Sequence, residues 1–460
     1  MNSTSEQLRF ASIPAHSVRA DFAGGGLSSD LGPVLLRSVD LQIGLTKRLA
    51  AALPDRRHQS YVSHSYHDLL AQRIYQIGCG YEDGNDSNSL RHDTMFKLGA
   101  ARLPFDDDGA LASGATISRF EHAASRQDIY RVSEALVEQF IASFAIPPKS
   151  LILDLDHSED ACYGQQPLAF YNHHYRSTCY LPLMIFDGMS GGLIAAVLRP
   201  GKRPFGDENA MIMRRVLKLI RAHFPDTHIL VRGDGHFSGP ELMGLIDGMP
   251  NIDFIFGFSC NVKLLAMAEP TRLRAIDRWV EAQTQDVVPN ALRLFDEFMY
   301  KARSWPRAWR VLMKAEVMVL GENTRFIVTS LPGLDADILY EDIYCARGQA
   351  ENYIKHLKDD LAADRTSCTS FLANCMRLLL HAAAYILHQQ LRTQALRHTA
   401  LSQAQPSTVI SKLFKIAVQV RQYKNKIVLH LPSACPVKHL LHTLTERLYL
   451  PTPARSFNSS

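Results

Sequence analysis

Leu151-Ile-Leu-Asp-Leu-Asp156 and Thr227-His-Ile-Leu-Val-Arg-Gly-Asp-Gly-His-Phe237 are the two stretches that decide how this chain is read. Each opens as an apolar run about as long as one buried strand. Each then runs into acid: Asp156 closes the first and Asp234 follows the second. In a sheet interleaved with helices, side chains at the carboxyl ends of the strands face the ligand crevice. Two carboxylates brought together there cannot both stay ionised cheaply unless a cation stands between them. Mg²⁺ is the natural guest, a hard ion held by one or two carboxylates together with phosphate oxygens. Asp154 lies two residues before Asp156 on the same strand face and stands as a second candidate for the first ligand.

Around these two runs the texture is that of an α/β core. Residues 180–186, 193–198 and 253–257 read as strands, and 209–224 as an amphipathic helix. Residues 1–147 read as mostly helical. Helical spacing of Tyr66, Leu69, Leu70, Ile74 and Ile77 marks one helix that Gly78 can stop. Ile129, Val132, Leu136, Phe140 and Phe144 mark another, with Ser118 and Glu121 as a capping box ahead of it and Pro147-Pro148 as its end. Between about 261 and 340 the order breaks. There 298–302, 309–319 and 325–330 read as strands, with Gly321 at a turn, and the whole reads as a strand-rich insertion. Residues 344–361 and 370–390 are expected to be helical, and 426–431 a strand.

Charge is uneven along the chain. From residue 385 to 460 there are ten Lys and Arg against one acid, Glu446, whereas the rest of the chain is slightly acidic. A basic end on an acidic body points to a polyanion partner, and nucleic acid is the natural one. The eight cysteines include no Cys-x-x-Cys pair, which argues against a structural zinc site and against a disulfide framework. No run of about 18 apolar residues stands out and the first twenty residues lack an apolar signal core, so a cytoplasmic protein with no membrane partner is expected.

The third element is Tyr344-x2-Arg347-x3-Glu351-x6-Lys358. On a regular helix these four fall within a stripe roughly 60° wide. An acid, two cations and a phenol on one stripe suit a phosphate backbone, with Arg and Lys on phosphates and the Glu completing a metal site.

This spacing is similar to the signature of a large group of bacterial insertion-sequence DDE transposases. Asp156-His-Ser158 resembles the Asp-Gly-Thr of that group's first catalytic strand, and Val231-Arg-Gly-Asp-Gly-His-Phe237 resembles its second. Thr116-Ile-Ser-Arg-Phe-Glu121, Tyr344-Cys-Ala-Arg-Gly348 and Asp364-Arg-Thr-Ser367 are also similar, so the resemblance runs from about residue 20 to 440. His157 and Ser158 depart from it, standing where many members have Gly or Ala and then Thr.

The resemblance implies an α/β fold with an RNase H-like catalytic core, a strand-rich insertion and a mostly helical N-terminal region ahead of it. The implied division is 1–147 for DNA-end binding, 148–262 and 340–395 for the two parts of the core, 263–339 for the insertion and 396–460 for the basic end. Asp156, Asp234 and Glu351 are expected to hold two Mg²⁺ ions, with Mn²⁺ as a substitute, for cleavage and strand transfer at the ends of an insertion sequence by a cut-and-paste route. Tyr344, Arg347 and Lys358 are expected to grip DNA, and Trp305 of the insertion to stack a flipped base. The partners are the terminal inverted repeats, target DNA and a second copy of the chain, since two element ends must be paired. The resemblance implies a bacterial cytoplasm as the setting, with the protein on the nucleoid when bound to DNA.

Two rival readings remain. Leu153-Asp-Leu-Asp-His-Ser158 also resembles the first motif of haloacid-dehalogenase-type phosphatases, with Asp154 as nucleophile. About 150 residues precede it here, the second late Asp is missing, and the 344–358 motif is left unexplained. A DNA-binding protein with a dead active site is the other rival, and the presence of all three acids argues against it.

Overall fold

The structure, a computed structural model, describes residues 7–106, 109–284 and 290–449. The chain forms two compact units, Ala124–Ala382 and a second made of Met1–Ala123 with Ala383–Ser460.

The first unit is built on an eight-stranded sheet. Its strands are β1 (Ser150–His157), β2 (Leu183–Asp187), β3 (Leu193–Val197), β4 (His228–Gly233), β5 (Ile252–Phe258), β6 (Ala291–Tyr300), β7 (Trp309–Met318) and β8 (Gly321–Thr329). Across the sheet they lie in the order β6-β7-β8-β5-β4-β1-β2-β3. β1, β2 and β3 form an antiparallel meander, while β4 runs parallel to β1 and β5 parallel to β4. β8 then pairs antiparallel with β5, so the three strands expected as an insertion continue the same sheet.

Alternation along β1 explains its two faces. Leu151, Leu153 and Leu155 enter a large apolar cluster with Val231, Phe254 and Val328 from neighbouring strands. Helices α1 (Arg126–Ile141), α2 (Gly206–His223), α3 (Pro240–Asp247) and α4 (Val262–Thr284) contribute to that cluster. Ile152, Asp154 and Asp156 alternate to the opposite face, where a smaller cluster of Leu230, Ile255, Leu312, Ile327, Leu339 and Tyr340 gathers. A helical segment, 338–360, lies over that second face.

Two local readings are corrected. Ser118 lies inside the helix Gly114–His122, and Ser113 is the residue that caps it. The capping box belongs to α1, where Ser125 accepts from the Asp128 N–H and Asp128 accepts from Ser125. Glu121 is instead buried in an ion pair with Arg73. Helix α4 replaces the expected break in order. Its buried Leu264, Ala268, Thr271, Ala275 and Trp279 follow helical spacing, a signal masked by Pro270 within the helix.

The second unit contains the expected helix at Tyr66–Gly78, capped by Ser65 with Asp68, and the hairpin Leu8–Ile13 with His16–Ala20. Its three-stranded sheet joins Leu27–Ser28 to the C-terminal strands Val418–Gln422 and Ile427–His430. Of the basic residues counted in the C-terminal stretch, Arg455 lies outside the described residues. Helix α6 (Phe371–Gln390) follows α5 (Gln349–Lys355) in the chain. Together with the residues up to Ala395, α6 is long and apolar enough to cross a membrane by composition, but its most apolar stretch is 89% buried, as in a core helix.

Strand β1 is an interior strand whose leucine face is buried in the large apolar cluster. Leu155→Ala, at a fully buried position, is expected to cost about 2–5 kcal/mol, read as a lowered urea midpoint with an unchanged slope.

Candidate active site

Parallel pairing of β1 with β4 places the acids. Arg232 lies opposite Asp154 and Gly233 opposite Leu155. One residue further, Asp156 and Asp234 emerge at the carboxyl ends of adjacent strands and on the same face. Asp156 is nearly buried, and burial pushes its carboxyl up to about 6. Arg347 works against that rise, while the nearby charges of Asp234 and Glu351 add to it.

Asp234 behaves differently. Its carboxylate accepts from the His236 N–H at 2.9 Å and pairs with His236 Nδ1 at 3.1 Å. Burial opposes its ionisation, but His236 and then Arg347 outweigh burial and hold it below the usual carboxylate range. The same contact, first among its causes, raises His236.

The segment carrying the Tyr-Arg-Glu-Lys spacing is helical, but with changing pitch. It runs as π-helix over Ile338–Tyr344, 3₁₀ over Cys345–Gly348, α over Gln349–Lys355 and π over His356–Asp360. A uniform 100° per residue therefore does not apply, yet Tyr344, Arg347 and Glu351 remain neighbours, while Lys358 takes a separate partner. Tyr344 packs its phenol against Gly257 of β5. A Cβ at Gly257 would lie 2.7 Å from that oxygen and 2.9 Å from Gly235 N, so only glycine fits there. Arg347 reaches Asp156 at 3.3 Å and Glu351 at 4.0 Å, with its guanidinium 5.9 Å from the centre of the Tyr344 ring. Glu351 is two-thirds exposed. Lys358 lies beyond the group and donates to the Glu159 carbonyl, in the loop after β1.

A cleft of about 640 Å³ opens beside the site. Asp234, Tyr344 and Arg347 line it together with Lys314 and Arg325 of the neighbouring strands, whereas Asp156 and Glu351 lie outside its lining. Lys314 and Arg325 face each other across β7 and β8, a pairing that the local sequence does not announce.

Asp154 is not available to a ligand. It is fully buried, and Arg232 grips both of its oxygens, Nε to Oδ1 at 2.6 Å and Nη2 to Oδ2 at 2.7 Å. The phosphatase reading needs Asp154 free to attack, and this fork denies it that role. Trp305 is also withdrawn. It is 4% exposed, with its ring 5.0 Å from Phe258 and 5.6 Å from Tyr300, so no face is open to a nucleobase. His157, the departure noted after Asp156, stacks on Phe237 at 4.8 Å, and burial lowers its ring to about 3, leaving it a neutral packing residue.

The profile of the family described as transposase DDE domain group 1 matches residues 10–452. The chain belongs to the DDE transposases. It is therefore a DNA transposase, and divalent metal ions are the general cofactors of such enzymes. A solved structure described as the cryo-EM structure of the piggyBac transposase synaptic complex with hairpin DNA aligns with 93% of this transposase and 87% of its own chain, at 11% identity and a TM-score of 0.40. No curated protein matches the sequence.

The donor chemistry fits a divalent ion. Hard carboxylate oxygens meet at two strand ends, and their mutual repulsion is relieved in this structure by the Arg347 cation. Among the described residues no three acids, histidines or cysteines stand close enough to hold an ion, and Glu351 is two-thirds exposed.

The raised Asp156 has a consequence for the metal-free transposase. The folded state keeps this proton up to about pH 6, whereas the unfolded chain releases it near 3.8. Stability is therefore lost as pH rises through that window. Asp156→Asn should remove this loss and exceed the wild type by on the order of 2–3 kcal/mol above pH 6, measured by denaturant unfolding in chelator.

Proposed function

We propose that this transposase cuts and joins DNA at the terminal inverted repeats of an insertion sequence by a cut-and-paste route, with Asp156, Asp234 and Glu351 as the metal-holding carboxylates of an RNase H-like core. The observation that carries the reading is the placement of Asp156 and Asp234 at the ends of adjacent parallel strands, beside a helical segment bearing Arg347 and Glu351. An antiparallel three-strand meander joined to two parallel strands supports the RNase H-like assignment.

Two Mg²⁺ ions, or Mn²⁺ in their place, supply activation of the attacking water or 3′-hydroxyl and neutralise charge on the leaving oxygen when bound. The chain's own residues do the positioning. His236 keeps Asp234 ionised and oriented. Tyr344 and Arg347, on the wall of the cleft, meet the sugar-phosphate backbone, and Lys358 supports the loop after β1 while facing the strand further along. In this arrangement the protein acts mainly by placing charge and geometry, as phosphoryl transfer requires.

The helical N-terminal region is assigned to end recognition and the basic C-terminal region to backbone binding. Two copies work together, since two element ends must be held at once. The enzyme works on nucleoid DNA in a bacterial cytoplasm.

Release of a linear element from a plasmid carrying the native flanks, in Mg²⁺, tests the reading. Asp156→Asn, Asp234→Asn and Glu351→Gln should each lower release by on the order of 10²–10³ or more while leaving end binding intact. Wild-type rates in any of the three would remove that residue from the site. For the basic end, exposed Lys424 and Lys426 are the probes. Their double Ala variant should flatten the log–log salt dependence of DNA affinity by about two units, and an unchanged slope would sink the assignment.

A further inference from the structure

One pleat beneath Asp156 and Asp234 lies a second charged layer that the chemistry does not use. Arg232 and Asp154 are directly opposite each other on β4 and β1, both are essentially buried, and both oxygens of Asp154 are taken by the guanidinium fork. A core pair of this kind is seldom a net source of stability, because desolvation offsets the attraction. The third arm of Arg232 is directed elsewhere. Its Nη1 donates at 2.7 Å to the carbonyl of Ile343, the residue before Tyr344. Three separate stretches of chain thus meet at one guanidinium. A fourth closes over it, since a Cβ at Gly188 would fall 2.5 Å from Arg232 Nη2 and 2.6 Å from Asp154 Oδ2.

We infer that Arg232 is a positioning residue: held by Asp154, it ties the helical segment 338–360 to the sheet at Ile343 and so sets Tyr344, Arg347 and Glu351 over Asp156 and Asp234. The inference rests on the proposed roles of those acids. The tether matters because the segment has poor internal regularity: its π and 3₁₀ turns meet at Tyr344 and Cys345, next to the anchored carbonyl. Asp154 orients the fork, and the fork orients the backbone.

Two variants separate positioning from core packing. Arg232→Lys keeps a cation opposite Asp154 but cannot grip both carboxylate oxygens and reach Ile343 together. The pair Asp154→Leu with Arg232→Met removes both charges, a replacement that buried pairs often tolerate. Amide hydrogen exchange of the full-length transposase is the first readout. It should quicken at least tenfold across residues 338–351 in both variants, while β1, β4 and β5 keep their protection. The Mg²⁺ concentration giving half-maximal strand cleavage should rise severalfold, with metal-free affinity for element ends unchanged. Unchanged exchange at 338–351 in folded Arg232→Lys would overturn the tether. So would an equal loss of protection across segment and strands, which would make the pair a core element only. If the wild type cuts no DNA, the proposed function fails, and the exchange result still decides the tether.

Discussion

Parallel pairing of β1 with β4 is the constraint on which the site depends. It stacks charges in two layers on one face of the sheet, Asp154 against Arg232 and then Asp156 beside Asp234. The lower layer is neutralised within the sheet by a two-point fork. The upper layer is two acids, and like charges at that spacing raise one another's cost of ionisation. Arg347 enters from the overlying segment to relieve this, which couples the position of that segment to the charge state of the strand ends. A divalent ion at the strand ends, as proposed, would meet the same need.

The overlying segment is unusual in pitch. Across its π, 3₁₀ and α turns, Tyr344, Arg347 and Glu351 stay adjacent, while each side chain is aimed at a different part of its surroundings. Tyr344 goes down onto Gly257, Arg347 onto Asp156, Glu351 outward and Lys358 to the loop after β1. Local departures of this type are frequent at functional sites, where the direction of a side chain outweighs ideal hydrogen bonding. The Glu351 carboxylate stays close enough to feel Arg347 and to raise Asp156, though it faces solvent.

Strands β6–β8 show how sheet continuation changes the role of a side chain. Because β8 pairs with β5, the inner face of these strands joins the same apolar cluster as β1 and β4. Trp305 and Trp309 are drawn into that cluster, and an aromatic that looked free to stack a base becomes packing. What the same strands present to the cleft is cationic, Lys314 opposite Arg325.

Much of this was legible in the linear sequence. Apolar runs bounded by acids marked β1 and β4, and helical spacing marked Tyr66–Gly78 and α2, because period and composition are local properties. A proline hid α4 although its apolar stripe was present. The availability of Asp154, the burial of Trp305, the separation of Lys358 from Arg347 and the tether at Ile343 belonged to the tertiary structure alone. Each depends on a partner tens to more than a hundred residues away, as Arg232 is from Ile343, or on the pitch that packing imposes on a helix. No local pattern records either, and only the folded sheet decides which of two acids on the same strand face is gripped by a buried arginine.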